Sequence, residues 1–337
     1  MVMADAGGAD TPSPGLGDGP GEGASLPVTF ADVAEAARSI AGAVPATPPV
    51  AAAAISRLAG AEVVLKLENL QLAGSFKARG AFNKLASLSP EQRRQGVVAA
   101  SAGNHAQGVA CHARQMQIPA TIVMPKQTPL TKIAGTEAYG AQIVLEGSDL
   151  SEAEAHARDL QRNTGTTFVH AYDDPLIIAG QGTVALELLS AFPHLDALIV
   201  PIGGGGLIAG CALATTALCP SCRVVGVEVE GYASMARLLA GEPPATGGAT
   251  LAQGIAVKAP GRVTAPIVRS LVDDIVVVSE EAIERAMYLL LDREKLVAEG
   301  AGAAALAALL DQRHRFAGLR VGMSSPAAMS TPGSSPP

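Results

Sequence analysis

Between Glu62 and Glu280 the chain repeats one pattern: a short apolar run, a turn, and a stretch with helical spacing. The runs are "VVLKLE" from Val63, "VVAAS" from Val97, "ATIVMP" from Ala120, "QIVLEG" from Gln142, "TFVHAY" from Thr167, "ALIVPI" from Ala197, "RVVGVEVE" from Arg223 and "DIVVVSE" from Asp274. They are nearly continuous rather than alternating, as a strand must be when helices cover both faces of its sheet. A sheet with one wet face would show a polar residue at every second position. The pattern therefore predicts an α/β fold of mostly parallel, twisted sheets covered by helices. A single core stops growing near ~250 residues, so a chain of 337 residues is expected to form two lobes.

Other stretches bound the organisation and the partners. Helical spacing marks 30–40, 78–88 and 105–116, and "PATPPV" (Pro45 to Val50) reads as a stiff, extended connector. Residues 1–26 are rich in Gly, Pro, Asp and Ala without periodicity, the composition of a disordered leader. The net charge of −7 gives no basic patch for nucleic acid or a membrane surface, and the lack of Trp removes a base-stacking platform. Small-molecule partners remain. The uncharged stretch from Ala197 to Cys222 is long enough for a membrane span, but four consecutive glycines interrupt it. Nothing at the N-terminus has the form of a secretion signal, and four cysteines suit a reducing compartment, so the expectation is cytoplasmic. Cys219 and Cys222 form a lone C-P-S-C, which reads as two incidental thiols beside the alternative of a zinc or redox pair.

Three strand-to-helix junctions carry chemistry. "PIGGGGLIAG" (Pro201 to Gly210) follows an apolar run and opens a helix, which brings backbone N–H groups and the positive helix end together, as phosphate binding requires. Its spacing is neither G-x-G-x-x-G nor the P-loop, which counts against NAD and ATP; a merely flexible loop is the other reading. "SAGNHAQG" (Ser101 to Gly108) puts Ser101, Asn104 and His105 at a helix start, where they could hold a carboxylate or simply cap orphan amides. In "GSFKARG" (Gly74 to Gly80), Lys77 stands at the very start of a helix whose buried face is Ala78, Ala81, Phe82 and Leu85. A lysine desolvated there could act as a nucleophile towards a carbonyl, and an aldehyde cofactor carrying a phosphate would suit the glycine run.

Together the three motifs resemble the pyridoxal-phosphate enzymes of the tryptophan synthase β-like fold (fold type II), and within them the threonine dehydratase and serine racemase family. The resemblance runs from Thr47 to Gly322 and includes "LKLENLQ", "YGAQIVL", "DDPLIIAGQGT", "GIAVKAPG" and "EGAGAAALAALL". It implies a discontinuous large cofactor-binding domain, 27–95 and 174–322, and a small domain, 96–173. It implies that Lys77 is the Schiff-base lysine and the base that removes the α-proton, with Phe76 against the cofactor ring. Gly203, Gly204, Gly205 and Gly206 would bind the phosphate, Asn104 the phenolic oxygen, and Ser101, Asn104 and His105 the substrate carboxylate. The implied activity is dehydration and deamination of L-threonine and L-serine to 2-oxobutanoate or pyruvate plus ammonia, in a homo-oligomer, dimer or tetramer. Racemases of the family carry a second serine directly after the first; here that position is Ala102, which cannot donate a proton and favours dehydration. The family's metal site would start at Glu228, but the acidic partner expected a few residues on is Ser234, so no metal is assigned.

The resemblance stops at Gly322. The family continues there as a strand ending in a Ser-Gly-Gly-Asn turn that contacts the pyridine nitrogen, whereas this chain ends "MSSPAAMSTPGSSPP". Residues 323–337 therefore read as an aberrant disordered tail. Codons for Met323 to Pro336 can be chosen that, read two bases later, encode "VLSGGNVDPRLLT", which points to a reading-frame shift that the nucleotide sequence would test. A pyridoxal-phosphate-binding protein inactivated by this change is the alternative to an active enzyme.

Overall fold

The run Ala197–Pro201 shows why the apolar stretches are continuous: Leu198 and Val200 pack to one side with Ile178, Leu188 and Ile208, while Ala197 and Ile199 pack to the other with Ala304 and Ala308. Both faces are covered, so no position faces water. The structure is a computed structural model that describes residues 26–324 apart from Thr246. Its strands are β1 (Pro49–Ala51), β2 (Glu62–Lys66), β3 (Val97–Ala100), β4 (Ala120–Met124), β5 (Gln142–Leu145), β6 (Thr167–Phe168), β7 (Ala197–Pro201), β8 (Arg223–Val229), β9 (Asp274–Val278) and β10 (Arg320–Ser324).

The strands form two sheets, one ordered β1-β2-β10-β7-β8-β9 and one ordered β5-β4-β3-β6. Every pairing is parallel except β1 with β2, which is the α/β architecture that the sequence pattern predicts. Each sheet has its own apolar core: that of the smaller is built around Val97, Ala99, Ile122 and Met124 with the helices Lys77–Ala86 and Asn104–Gln115. The helix Gly300–Asp311, "GAGAAALAALLD", has no polar face until its last residue because it is enclosed between the large sheet and the helix Glu280–Glu294.

Two features differ from the expectation. β6 keeps only two residues of "TFVHAY"; after Val169 the chain leaves the small sheet and crosses to the helix Pro175–Ala191, so His170 to Asp173 are connection rather than strand. At the other end, Met323 and Ser324, assigned to the tail from composition, lie in β10, an interior strand between β2 and β7. Ser324 pairs with Lys66 and Met323 with Ile199, and both residues are buried. Pairing on two sides outweighs the weak strand propensity of Gly and Ser. Residues 325–337, the rest of that tail, and 1–25, most of the expected leader, lie outside the described residues.

Candidate active site

The carboxyl ends of β3, β6 and β7 all open into one cavity of about 500 Å3, the position where α/β sheets bind their ligands. Lys77, Ser101, Asn104, His105 and the four glycines from Gly203 all line it, so residues separated by up to 129 positions in sequence (206 − 77) meet at one place.

Lys77 is the first residue of the helix Lys77–Ala86, after Phe76 at the N-cap. Its Nζ donates to the carbonyl oxygen of Ala171 at 2.6 Å and lies 5.2 Å from the centre of the Phe76 ring. No carboxylate is among the causes acting on it, and burial lowers its pKa to about 8. The amine is thus poised to lose its proton near neutrality.

The glycine run is the turn between β7 and the helix Gly206–Leu218. Gly205 has φ of +95°, a left-handed value that side chains other than glycine rarely take. At Gly204 an added Cβ would strike the ring of Tyr172, and at Gly205 it would come within 2.7 Å of Thr264 Oγ1. Thr264 Oγ1 and the Gly261 amide both donate to the carbonyl oxygen of Gly204, at 2.7 and 3.1 Å. Gly206 and Leu207, at the start of the helix where amides have no carbonyl partner within it, line the cavity together with the positive helix end.

Around Asn104 the picture is more divided. Ser101 Oγ accepts from the Gly103 amide at 3.2 Å, a local turn of the capping kind. Asn104 Nδ2 donates to Glu299 Oε1 at 3.0 Å. His105 is buried, and its Nε2 meets the carbonyl oxygen of Val169 at 2.9 Å. Burial, then the Lys77 charge, press its pKa down to about 3, so the ring is neutral and Nε2 carries the proton. The ring of His105 therefore brings no positive charge to the cavity.

Several residues in the cavity wall or directly behind it carry no signal in the local sequence. Tyr172 lies on the glycine run and donates from its hydroxyl to the carbonyl oxygen of Ala259 at 3.0 Å. Asp173 accepts from the amides of Arg262, Val263 and Thr264 at 2.9, 2.7 and 3.3 Å, tying the crossing between the sheets to the loop behind Gly204. Lys132 bridges to Gln253 at 2.8 Å across the cavity mouth. Only the pair of aspartates before Pro175 hints at this: Asp174 caps the following helix through the amides of Leu176 and Ile177, which leaves Asp173 for another task.

Two other sequence candidates lie outside the cavity. The Glu228 carboxylate accepts from the amides of Met235 and Ala236 at 2.8 and 3.0 Å, and so serves the start of the helix Ser234–Ala240. No group of three His, Cys, Asp or Glu side chains placed to hold a metal occurs among the described residues. Cys219 and Cys222 are free and buried, and burial pushes the Cys222 thiol up to about 12. No helix among the described residues is long and apolar enough to cross a membrane.

A primary amine of lowered pKa, free helix amides across the same cavity and room beside them for a ring and an amino acid fit a phosphorylated aldehyde. The chain belongs to the family of pyridoxal-phosphate-dependent enzymes, whose profile matches residues 40–325, and its cofactor is pyridoxal phosphate. Within that family it is 48% identical over 287 residues to the L-threonine ammonia-lyase of Thermotoga maritima, covering 85% of this chain and 72% of that one. It is 47% identical to the catabolic L-threonine dehydratase TdcB of Escherichia coli K12, covering 85% of this chain and 87% of the other. Among solved structures, maize serine racemase superimposes with a TM-score of 0.85 at 36% identity, over 89% of this chain and 93% of that one.

Proposed function

We propose that this chain dehydrates and deaminates L-threonine, and L-serine with it, to 2-oxobutanoate or pyruvate plus ammonia. The observation that carries the reading is the meeting of the Lys77 amine, the glycine run and the start of the Asn104 helix in one cavity. The names of the relatives from Thermotoga maritima and Escherichia coli support it. When bound, pyridoxal phosphate supplies an aldehyde that links covalently to an amino group and a ring that withdraws electrons from Cα.

The chain supplies the rest. Gly203 to Gly206 and the helix end would hold the phosphate, Phe76 would lie against the ring, and the Asn104 amide would meet the phenolic oxygen. Ser101 and the amides of Asn104 and His105 receive the substrate carboxylate, which turns the Cα–H bond towards Lys77. The amine takes the α-proton. With a pKa of about 8, roughly a tenth of it is unprotonated at pH 7, against less than about a thousandth at an ordinary lysine pKa. The β-hydroxyl leaves with a proton as water, and one water is regained when ammonia is released, so threonine gives 2-oxobutanoate and ammonia in net balance.

Racemisation needs an acid on the opposite face of Cα. The residue after Ser101 is Ala102, which lines the cavity with a methyl group and has no proton to give. Dehydration is therefore the reading despite the likeness to a racemase structure. The same proposal includes Lys77 as the covalent attachment point, a small domain of 96–173 set against a large one of 27–95 and 174–322, and a cytoplasmic homo-oligomer, dimer or tetramer.

Absorbance and product analysis test it together. The purified protein is expected to show the band of lysine-bound cofactor and to form keto acid from L-threonine; Lys77→Ala is expected to lose both. D-serine accumulating from L-serine without keto acid would replace the reading with racemisation. A band with neither product would mean a cofactor-binding protein without activity.

A further inference from the structure

Glu299 is the N-cap residue of the helix Gly300–Asp311, yet its side chain caps nothing. An N-cap carboxylate ordinarily accepts from its own helix amides. This one is turned away into the cavity, where Oε1 accepts from Asn104 Nδ2 at 3.0 Å. Its seat is fitted: a Cβ added at Gly254 would come within 2.6 Å of the same oxygen. Burial pushes the Glu299 carboxyl up to about 7, the Asn104 bond pulling the other way, with Lys132 on the helix Leu130–Glu137 as the charged neighbour. A carboxyl placed there at such a desolvation cost, and unused as a cap, calls for another role.

The partner suggests which. A carboxamide can turn end for end, exchanging its donor and acceptor faces at little cost, unless a neighbour accepts only. An ionised carboxylate, the form Glu299 takes above its pKa of about 7, is such a neighbour. We propose that Glu299 is a positioning residue that holds the Asn104 amide in the one orientation in which it meets the cofactor's phenolic oxygen. The inference rests on that contact of Asn104, which is part of the function proposed above.

The test is the rate at which the holoenzyme loses cofactor on dialysis, followed by the cofactor's absorbance, with melting curves to confirm folding. Glu299→Ala is expected to release cofactor about tenfold faster, the worth of one charge-assisted hydrogen bond. Glu299→Gln, whose carboxamide can turn to donate as well as accept and so no longer fixes one face of Asn104, should also release cofactor faster than the parent, by up to about tenfold. Asn104→Ala should release at least as fast as Glu299→Ala, and the double variant no faster than Asn104→Ala alone. Should Glu299→Ala not fold, Gly254→Ala, whose methyl presses on Oε1, is expected to accelerate release in its place. Unchanged release from Glu299→Ala, parent-like release from Glu299→Gln, or effects that multiply in the double variant would each overturn the assignment of Glu299 while leaving Asn104 in place. Unchanged release from Asn104→Ala would overturn the Asn104 contact itself, and this proposal with it.

Discussion

Lys77 is an amine whose surroundings weaken its hold on a proton, and that has a measurable consequence for stability. Its folded pKa of about 8 lies below the ordinary lysine value of 10.5, so between those two pH values the unfolded chain binds more protons than the folded one. Stability therefore rises with pH across that window, and the full cost of burying the charge is present below pH 8. Replacing Lys77 by Met removes the cost. The cofactor-free variant is expected to melt above the cofactor-free parent at pH 7, with the gap closing as the pH approaches about 10.5. Thermal melts of the two proteins over that range measure it; a gap that does not change with pH would mean that the amine is not desolvated.

The helix Pro175–Ala191 holds the two halves of the site together. It is buried all round, begins at the Asp174 cap with proline in its first turn, and carries glycines on two of its sides. Gly180 lies against Gly80 of the Lys77 helix, and Gly182 against Gly210 of the helix that follows the glycine run. Without side chains at these points, the backbones approach closely enough to fix the amine and the phosphate seat relative to one another. A Cβ on Gly180 would come within 2.6 Å of Gly80 Cα and 3.0 Å of the Arg79 carbonyl oxygen, and backbone has nowhere to yield. Gly180→Ala is expected to cost about 1–3 kcal/mol by overpacking, read from urea unfolding, and to weaken cofactor retention with it. Unfolding midpoints equal to the parent's would show that the helices are not in contact here.

Across the whole molecule, a buried charge cluster joins β2, the turn after it, the Lys77 helix and the helix Pro175–Ala191. Arg79 binds Glu68 through Nε and Nη2, both at 2.8 Å, and Glu187 at 2.6 and 2.8 Å, while Lys66 reaches Glu187 and the Thr47 carbonyl oxygen, both at 2.5 Å. Arg79, Lys66 and Glu68 have no exposure to water. Removing one member strands a charge in the interior, which costs far more than the intact cluster contributes. Arg79→Met is expected to lower stability by about 3–5 kcal/mol, whereas a change at an exposed pair such as Lys126–Glu146 should leave stability almost unchanged. Chemical denaturation of both variants compares them; similar small losses would show that the cluster is wet. Arg79 lies two residues from Lys77, so the cluster also fixes the start of the helix that presents the amine.

Lys77, the glycine run and the Asn104 helix could be read from sequence because each is a local junction of strand, turn and helix, whose backbone amides and φ angles are set by neighbours in the chain. The parallel α/β class was legible for a similar reason, since burial on both sheet faces writes continuous apolar runs. Glu299, Tyr172, Asp173 and Thr264 were not legible: the groups they serve lie 195, 32, 89 and 60 residues away in the cases of Asn104, Gly204, Arg262 and Gly204 respectively. β10 stayed hidden because its strand character is conferred by β2 and β7 on either side, whereas Glu228, assigned no metal from the sequence, accepts from the amides of Met235 and Ala236. The sequence by itself determined which backbone junctions can bind an anion and hold an amine, because those properties are local. Only the tertiary structure decided which side chains are buried beside them, what those side chains accept or donate, and hence how the amine titrates, because desolvation and charge act through space rather than along the chain.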